Sequence, residues 1–179
     1  MKRTLFVAAL AGVALVSFEA RAQIVKPGSV VFGVAAGASI PVSDLSDGVK
    51  TGFNGTVTLG FQPTMIPLGV RIDGAYNQWG RKAIVGTGNV HSTSVTGNLV
   101  FKMPGATVSP YAIGGAGWYN LGGSGGGTSL NEFGWNIGGG IAMGLSGFDT
   151  FLEARFNQVQ TDVTVTRFIP ITFGVMFGF

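Results

Sequence analysis

The last eleven residues of the chain, IPITFGVMFGF, alternate between large apolar side chains and small or polar ones. One set of alternate positions holds Ile169, Ile171, Phe173, Val175, Phe177 and Phe179. Because successive side chains of a β-strand point to opposite faces, this period of two predicts a strand with one strongly apolar face. Such a face needs a cover, since an exposed apolar strand with a free edge is prone to aggregate.

The N-terminal region has the pattern of a secretory signal peptide. Lys2 and Arg3 precede an apolar run over residues 5–16, and Ala20 and Ala22 form a small-x-small cleavage site. The apolar run is too short for a transmembrane helix. We therefore expect cleavage after Ala22.

Cleavage there divides the chain into a signal peptide, residues 1–22, and a single domain, residues 23–179. The signal peptide holds three of the 11 basic residues, so the remaining domain is close to neutral. Without a stripe of basic residues, we expect no nucleic-acid partner. The lone histidine argues against a metal site, and no cofactor is expected.

The composition is that of a membrane protein without membrane helices. Glycine accounts for 31 residues and charged residues for only 11% of the chain, while mean hydropathy is positive. Beyond residue 22, no apolar run approaches the roughly 18 residues that a membrane helix needs. Because only helices and closed barrels satisfy every backbone hydrogen bond inside lipid, the sequence indicates a barrel.

Eight segments show the period of two and are separated by turn-forming residues. We expect strands over residues 29–40, 52–62, 68–79, 91–103, 109–120, 133–145, 150–158 and 169–179. The longer, polar or glycine-rich connections are 41–51, 80–90, 120–132 and 159–167. Strands of about 9–11 residues, with short turns on one side and longer loops on the other, are typical of outer-membrane barrels. The predicted fold is all-β, an eight-stranded antiparallel transmembrane up-and-down barrel.

Aromatic residues concentrate near the two ends of the predicted strands. The outer ends hold Phe53, Tyr76, Trp79, Trp118, Tyr119, Phe133, Trp135, Phe156 and Phe168. The inner ends hold Phe61, Phe101, Tyr111, Phe148, Phe177 and Phe179. Two separated groups predict aromatic belts at the two membrane–water interfaces.

Five segments carry the most distinctive patterns: GVAAGASIPVSD, VRIDGAYNQW, PYAIGGAGWY, GWNIGGGI and the terminal FGVMFGF. Together they resemble the small OmpA/OmpX-like eight-stranded outer-membrane β-barrels of Gram-negative bacteria. The resemblance implies a monomer in the cell outer membrane, in contact with outer-membrane lipids and lipopolysaccharide. In that family an aromatic last residue after alternating apolar residues is the signal for the barrel-assembly machinery. The matching residues here are Phe173, Val175, Phe177 and Phe179.

The alternation points four charged side chains into the barrel: Arg71, Asp73, Glu153 and Arg155. Buried charges are costly unless they are paired and hydrogen-bonded. One interpretation is a salt-bridged core, since eight strands enclose little more than side chains. The other is a gated pore or proton path on the same pairs, with unfilled space left by the inward glycines 134, 138, 140 and 144. Pro170 also points inward, and since proline cannot donate to the ladder, we expect a bulge or a strand that begins after it.

His91 and Ser92 supply the residue types of a Ser–His hydrolase, such as an outer-membrane lipid A deacylase. Neighbours on a strand point to opposite faces, and no acidic residue is placed to orient His91. We therefore expect no catalytic residue and no enzyme activity.

The sequence favours an outer-membrane β-barrel with an envelope or surface-interaction role. A narrow porin-like channel for small solutes or hydrophobic compounds is the alternative, and a lipid A-modifying enzyme a remote one.

Overall fold

Eight strands make up most of the chain that the computed structural model describes, which is residues 30–63, 66–103, 108–124, 129–161 and 165–179. They are β1 (Val30–Val42), β2 (Gly52–Phe61), β3 (Leu68–Gly80), β4 (Asn89–Lys102), β5 (Val108–Gly123), β6 (Leu130–Leu145), β7 (Phe148–Gln160) and β8 (Val165–Gly178). The predicted signal peptide and its cleavage residues, Ala20 and Ala22, lie outside the described residues.

Two short helical segments lie in connections at one end of the barrel, which we call the outer end. These are α1 (Asp44–Gly48), between β1 and β2, and a 3₁₀ turn (Ala83–Val85), between β3 and β4. Across the described ranges, no helix combines the length and the apolar character needed to span a bilayer.

Every strand pairs antiparallel with its sequence neighbours, and β8 pairs with β1, so the sheet closes on itself. In this closing pair Val34 faces Val175, and the backbone N–H of Phe179 donates to the carbonyl of Val30 at 2.9 Å. Closure removes the free edge that the apolar last strand would otherwise present. The predicted eight-stranded antiparallel barrel is confirmed.

Most of the outward-facing side chains are apolar, and many of the inward-facing ones are polar. On β2, Val57 and Leu59 are 52% and 54% exposed, whereas Thr56 and Thr58 between and beside them are buried. This is the reverse of a soluble protein. It is the arrangement expected of a barrel whose outer face contacts hydrocarbon.

The strands on the outer side extend further than the sequence predicts. β5 continues to Gly123 and β6 begins at Leu130, and the side chains of Asn120 and Asn131 hydrogen-bond at 2.8 Å between them. The prediction ended where the apolar alternation ended. Backbone pairing does not need an apolar face, so the hairpin continues through polar and glycine-rich sequence.

Pro170 lies inside β8 and not at its start, so the expectation of a bulge or a late start is wrong. Pairing with β7 is interrupted at Pro170 and resumes beyond it in the same register, with Ala154 facing Ile171 and Asn157 facing Phe168. No residue is inserted. The missing N–H of proline removes pairing locally without displacing either strand.

The interior is arranged in three layers along the barrel axis. An apolar outer cluster comprises Val49, Trp79, Tyr119, Val159 and Phe168. An apolar inner cluster, towards the other end, comprises Val100, Tyr111, Ile113, Ala142 and Phe151. Polar and charged side chains fill the layer between them.

Four residues predicted for the aromatic belts face the interior instead, each at most 7% exposed: Trp79, Tyr111, Tyr119 and Phe168. Trp79 shares the face of Arg71 and Asp73 on β3, so strand parity turns it inward. Trp118 and Phe133, by contrast, are 70% and 58% exposed and make an edge-to-face contact on the outer surface. The belts exist, but they have fewer members than predicted.

Candidate functional site: the charged interior

Four charged side chains from two strands meet in the middle layer. Arg71 and Asp73 come from β3, and Glu153 and Arg155 come from β7, on the opposite side of the barrel. A spacing of two residues puts both members of each pair on the inward face. The sequence predicts all four as interior residues, and the structure brings them into direct contact.

Arg71 bridges the barrel. Its Nη2 donates to both carboxylate oxygens of Glu153 at 2.9 Å, and its Nε donates to Asp73 at 3.1 Å. Arg71 is 5% exposed and Glu153 is 2% exposed. Hydrogen bonds in which both donor and acceptor are ionised are among the stronger polar contacts in proteins.

Arg155 completes a ring of alternating charge. Its Nη1 contacts Asp73 at 2.8 Å, and its Nε contacts Glu153 at 2.6 Å. Each carboxylate therefore touches both guanidinium groups, and the formal charges sum to zero. This compensation is what permits four ionised groups to lie in the interior.

Neutral donors from neighbouring strands complete the hydrogen bonding of the two carboxylates. Thr58 Oγ1 and Asn98 Nδ2 donate to Asp73 at 2.6 and 2.9 Å, and the hydroxyl of Tyr111 donates to Glu153 at 2.8 Å. None of these three residues was predicted as a partner of the charged side chains. Their position on the inward face was the available signal, but the partner across the barrel depends on strand register.

Gly134, Gly138 and Gly140 are covered by large side chains from adjacent strands, so the expectation of unfilled space is wrong for these three, whereas Gly144 is exposed. A Cβ atom at Gly134 would lie 2.8 Å from the ring of Tyr119, and one at Gly138 would lie 2.7 Å from Cγ of Arg155. At Gly144, it would meet Oδ1 of Asp149 at 3.5 Å.

Gly140 has a specific role in this layer. It pairs with Tyr111 on one side and with Glu153 on the other, so Tyr111 must cross over it to reach the carboxylate. A Cβ at Gly140 would lie 2.6 Å from the Tyr111 hydroxyl oxygen. Only glycine leaves room for this crossing.

We expect Gly140→Ala to lower the free energy of unfolding by about 1–3 kcal/mol, the usual range for overpacking. The added methyl group displaces Tyr111 and weakens its bond to Glu153. The matched control is Gly97→Ala, on the outer face, where a Cβ meets no atom within 4 Å. Urea unfolding of the refolded protein in lipid vesicles measures both, and equal midpoints would contradict the role assigned to Gly140.

The outer cluster closes the barrel above the charges. Val49, 4% exposed, is contributed by the β1–β2 connection, which is tied to the β3–β4 connection by backbone bonds. The N–H of Lys50 donates to Gly80 at 2.8 Å, and the N–H of Lys82 donates to Gly48 at 2.9 Å. These bonds hold an apolar cap over the charged layer.

The residue types of a hydrolase are not assembled into a site. His91 stacks on Tyr76 with ring centroids 6.2 Å apart, while Ser92 is fully buried on the opposite face. Within the described part of the chain, no group of three His, Cys, Asp or Glu side chains could hold a metal ion.

The residues of the predicted assembly signal lie on β8, apart from Phe179, which directly follows it. Phe173 and Phe179 are 60% and 62% exposed, Phe177 is also exposed, and Val175 is half-buried. Their recognition by the assembly machinery stays a prediction.

Comparison by sequence identifies a family. The model of the outer membrane protein beta-barrel domain matches residues 6–179. Among proteins of curated function, the sequence finds no match.

Solved structures show the same fold. Neisserial surface protein A (NspA) superposes with a TM-score of 0.69 at 18% identity, over 84% of this chain and 97% of that one. Ail, the attachment invasion locus protein of Yersinia pestis, solved with the heparin analogue sucrose octasulfate, gives 0.53 at 20% identity, over 85% and 100%. The N-terminal β-barrel domain of Pseudomonas aeruginosa OprF gives 0.53 at 15% identity, over 85% and 99%.

Proposed function

Because the chain belongs to the family of outer-membrane protein β-barrel domains, its location is the outer membrane, and we propose that it acts there as a sealed barrel. Its role is structural within the envelope, or interactive at the surface, and involves no catalysis. A Gram-negative envelope and export through the cleaved signal peptide are part of the proposal.

The bond between Arg71 and Glu153 across the barrel is the observation that carries the proposal. A solute path through the interior has to pass this level, where guanidinium and carboxylate groups touch at 2.6–3.1 Å. Opening the path means separating buried ions, and a buried ion that loses its partner costs about 3–5 kcal/mol. The interior is thus better suited to hold the strands together than to conduct.

The outer cluster supports the same conclusion independently. Trp79, Val159 and Phe168 are at most 1% exposed and lie between the charged layer and the outer end. A polar solute entering from outside would first meet this apolar layer. Two different barriers therefore lie in series.

The outer connections are the surface available to partners. Lys50 and Arg81 are exposed there and come from two connections joined at the Val49–Arg81 bridge. Positive groups at this level are suited to the phosphate groups of lipopolysaccharide. We include lipopolysaccharide and the other outer-membrane lipids as partners of a monomeric barrel, assembled by the barrel-assembly machinery.

We expect the refolded protein to give no discrete channel openings in a planar bilayer. A mobility shift between boiled and unboiled samples first establishes that the barrel has folded. A channel-forming peptide, added at the end of each recording, shows that the bilayer reports openings. Reproducible openings in the wild-type protein would contradict the sealed barrel.

The narrow channel is the second candidate, and the observation in its favour is a cavity of about 80 Å³ that reaches Arg71 from the inner end. On this alternative, wild-type openings appear and become larger in Arg71→Ala. The sealed barrel instead predicts silence from the wild-type protein.

A further inference from the structure

The cavity at the inner end, which we call the inner pocket, has no part in the sealing role. Its volume is about 80 Å³. Three buried apolar side chains, Val100, Ala142 and Phe151, line it together with the partly buried Met176. An apolar, partly enclosed space of this kind is suited to an apolar group.

The inner pocket is closed on the side of the charged layer. Arg71 and Tyr111 line it there, and both are held by hydrogen bonds to Glu153. An occupant must therefore enter and leave through the inner end. The pocket therefore has the shape of a binding site with a single entrance.

The rim of the pocket carries one positive and one negative group, Lys102 and Asp149. Their Nζ and Oδ2 atoms are 3.6 Å apart, and each side chain is 33% exposed. This distance is too long for a hydrogen bond, so both groups keep donors and acceptors for a third partner. The rim has no net charge.

A hydroxyl group matches this rim. It can accept a hydrogen bond from the Lys102 ammonium group and donate one to the Asp149 carboxylate. An anionic head would meet the carboxylate at close range, and a cationic head would meet the ammonium group. The rim therefore favours a neutral head that both donates and accepts.

The volume of the inner pocket limits the size of the apolar part of a ligand. The pocket has about half of the roughly 150 Å³ of an engineered apolar cavity that binds benzene. A short alkyl chain of about four carbons fits when its head lies at the rim.

We propose that the inner pocket binds small neutral amphiphiles, with a short alkyl chain against Val100, Ala142 and Phe151 and a hydroxyl group between Lys102 and Asp149. This binding site is additional to the proposed role and does not depend on it.

Three probes that share a short alkyl chain and differ in the charge of the head group test the proposal: 1-butanol, butyrate and butylammonium. Methyl NMR of the methionines in the refolded full-length mature barrel provides the readout. Met176 lines the pocket, whereas Met103 and Met143 lie on the outer face at 47% and 40% exposure and report partition into the detergent. We expect a saturable shift at Met176 alone, with 1-butanol binding about fivefold more tightly than either charged probe, the effect of one exposed charge contact.

Two variants complete the test of the pocket walls. Ala142→Leu fills the pocket and should abolish the Met176 response. Ala154→Leu makes the same change on the exposed outer face and should preserve it. A Met176 response that never saturates, or one that survives Ala142→Leu, overturns the proposal.

Asp149→Asn tests the rim without altering the packed interior. Removing the negative charge should let butyrate bind about as tightly as 1-butanol. Equal binding of all three probes to the wild-type protein overturns the assignment of a neutral head, as does an unchanged preference in Asp149→Asn.

Discussion

Replacing Glu153 with alanine should lower the free energy of unfolding by about 3–5 kcal/mol, the cost of leaving a buried charge without its partner. Glu153 is 2% exposed, accepts hydrogen bonds from Arg71 and Tyr111, and contacts Arg155. Alanine supplies none of these contacts. Two guanidinium groups then share the single carboxylate of Asp73, and the interior gains a net positive charge.

Urea unfolding of the protein in lipid vesicles, monitored by tryptophan fluorescence, measures this decrease in the free energy of unfolding. The control is Asp47→Ala, which removes an exposed carboxylate from α1 and should change the free energy by no more than about 0.5 kcal/mol. The double variant Arg71→Met/Glu153→Leu should recover part of the loss, because it removes both ions and refills the space. A Glu153→Ala midpoint equal to that of Asp47→Ala would show that the ion pairs do not stabilise the barrel.

The sequence was sufficient for the architecture because strand parity is a strong constraint. Eight alternating segments without a membrane helix left one structure able to satisfy the backbone inside lipid. The same parity identified Arg71, Asp73, Glu153 and Arg155 as inward-facing. Their burial follows from alternation alone, whatever the register between strands.

The contacts between interior side chains could not be predicted from strand parity. Which residue of β7 meets Arg71 depends on strand tilt and stagger, properties of the closed barrel and not of any one segment. Tyr111 reaches Glu153 only because Gly140 lies between them in register. From the sequence alone, we expected Gly140 to leave unfilled space in the interior.

For some aromatic residues, position along the strand and strand parity predict opposite orientations of the ring. Their position near the strand ends predicted that Trp79 and Tyr111 belong to the interfacial belts, whereas strand parity places both side chains inside the barrel. Parity is the stronger rule, because a one-residue change would reverse every side chain of the strand. The aromatic belts are therefore formed by the outward-facing rings alone.

Trp79 and Trp118 make this distinction measurable. Trp79 is fully buried, packs edge-to-face on Phe168 at 5.0 Å, and donates from Nε1 to the carbonyl of Ser39 at 3.1 Å. Trp79→Ala removes this packing from the outer cluster and leaves a cavity beneath the cap. We expect it to lower the free energy of unfolding by about 3–5 kcal/mol, the usual cost of truncating a buried aromatic side chain.

Trp118→Ala is the matched change on the other face. Trp118 is 70% exposed, and its ring contact is an edge-to-face pair with Phe133 at 6.2 Å, so its loss should cost about 1 kcal/mol. Urea unfolding compares the two variants directly, and quenching by a lipid-soluble quencher should act on Trp118 and spare Trp79. Equal decreases in the free energy of unfolding for Trp79→Ala and Trp118→Ala, together with equal quenching of the two tryptophans, would mean that Trp79 faces lipid. The outer cluster would then lack its largest side chain, and the charged layer would be the only barrier left to support a sealed barrel.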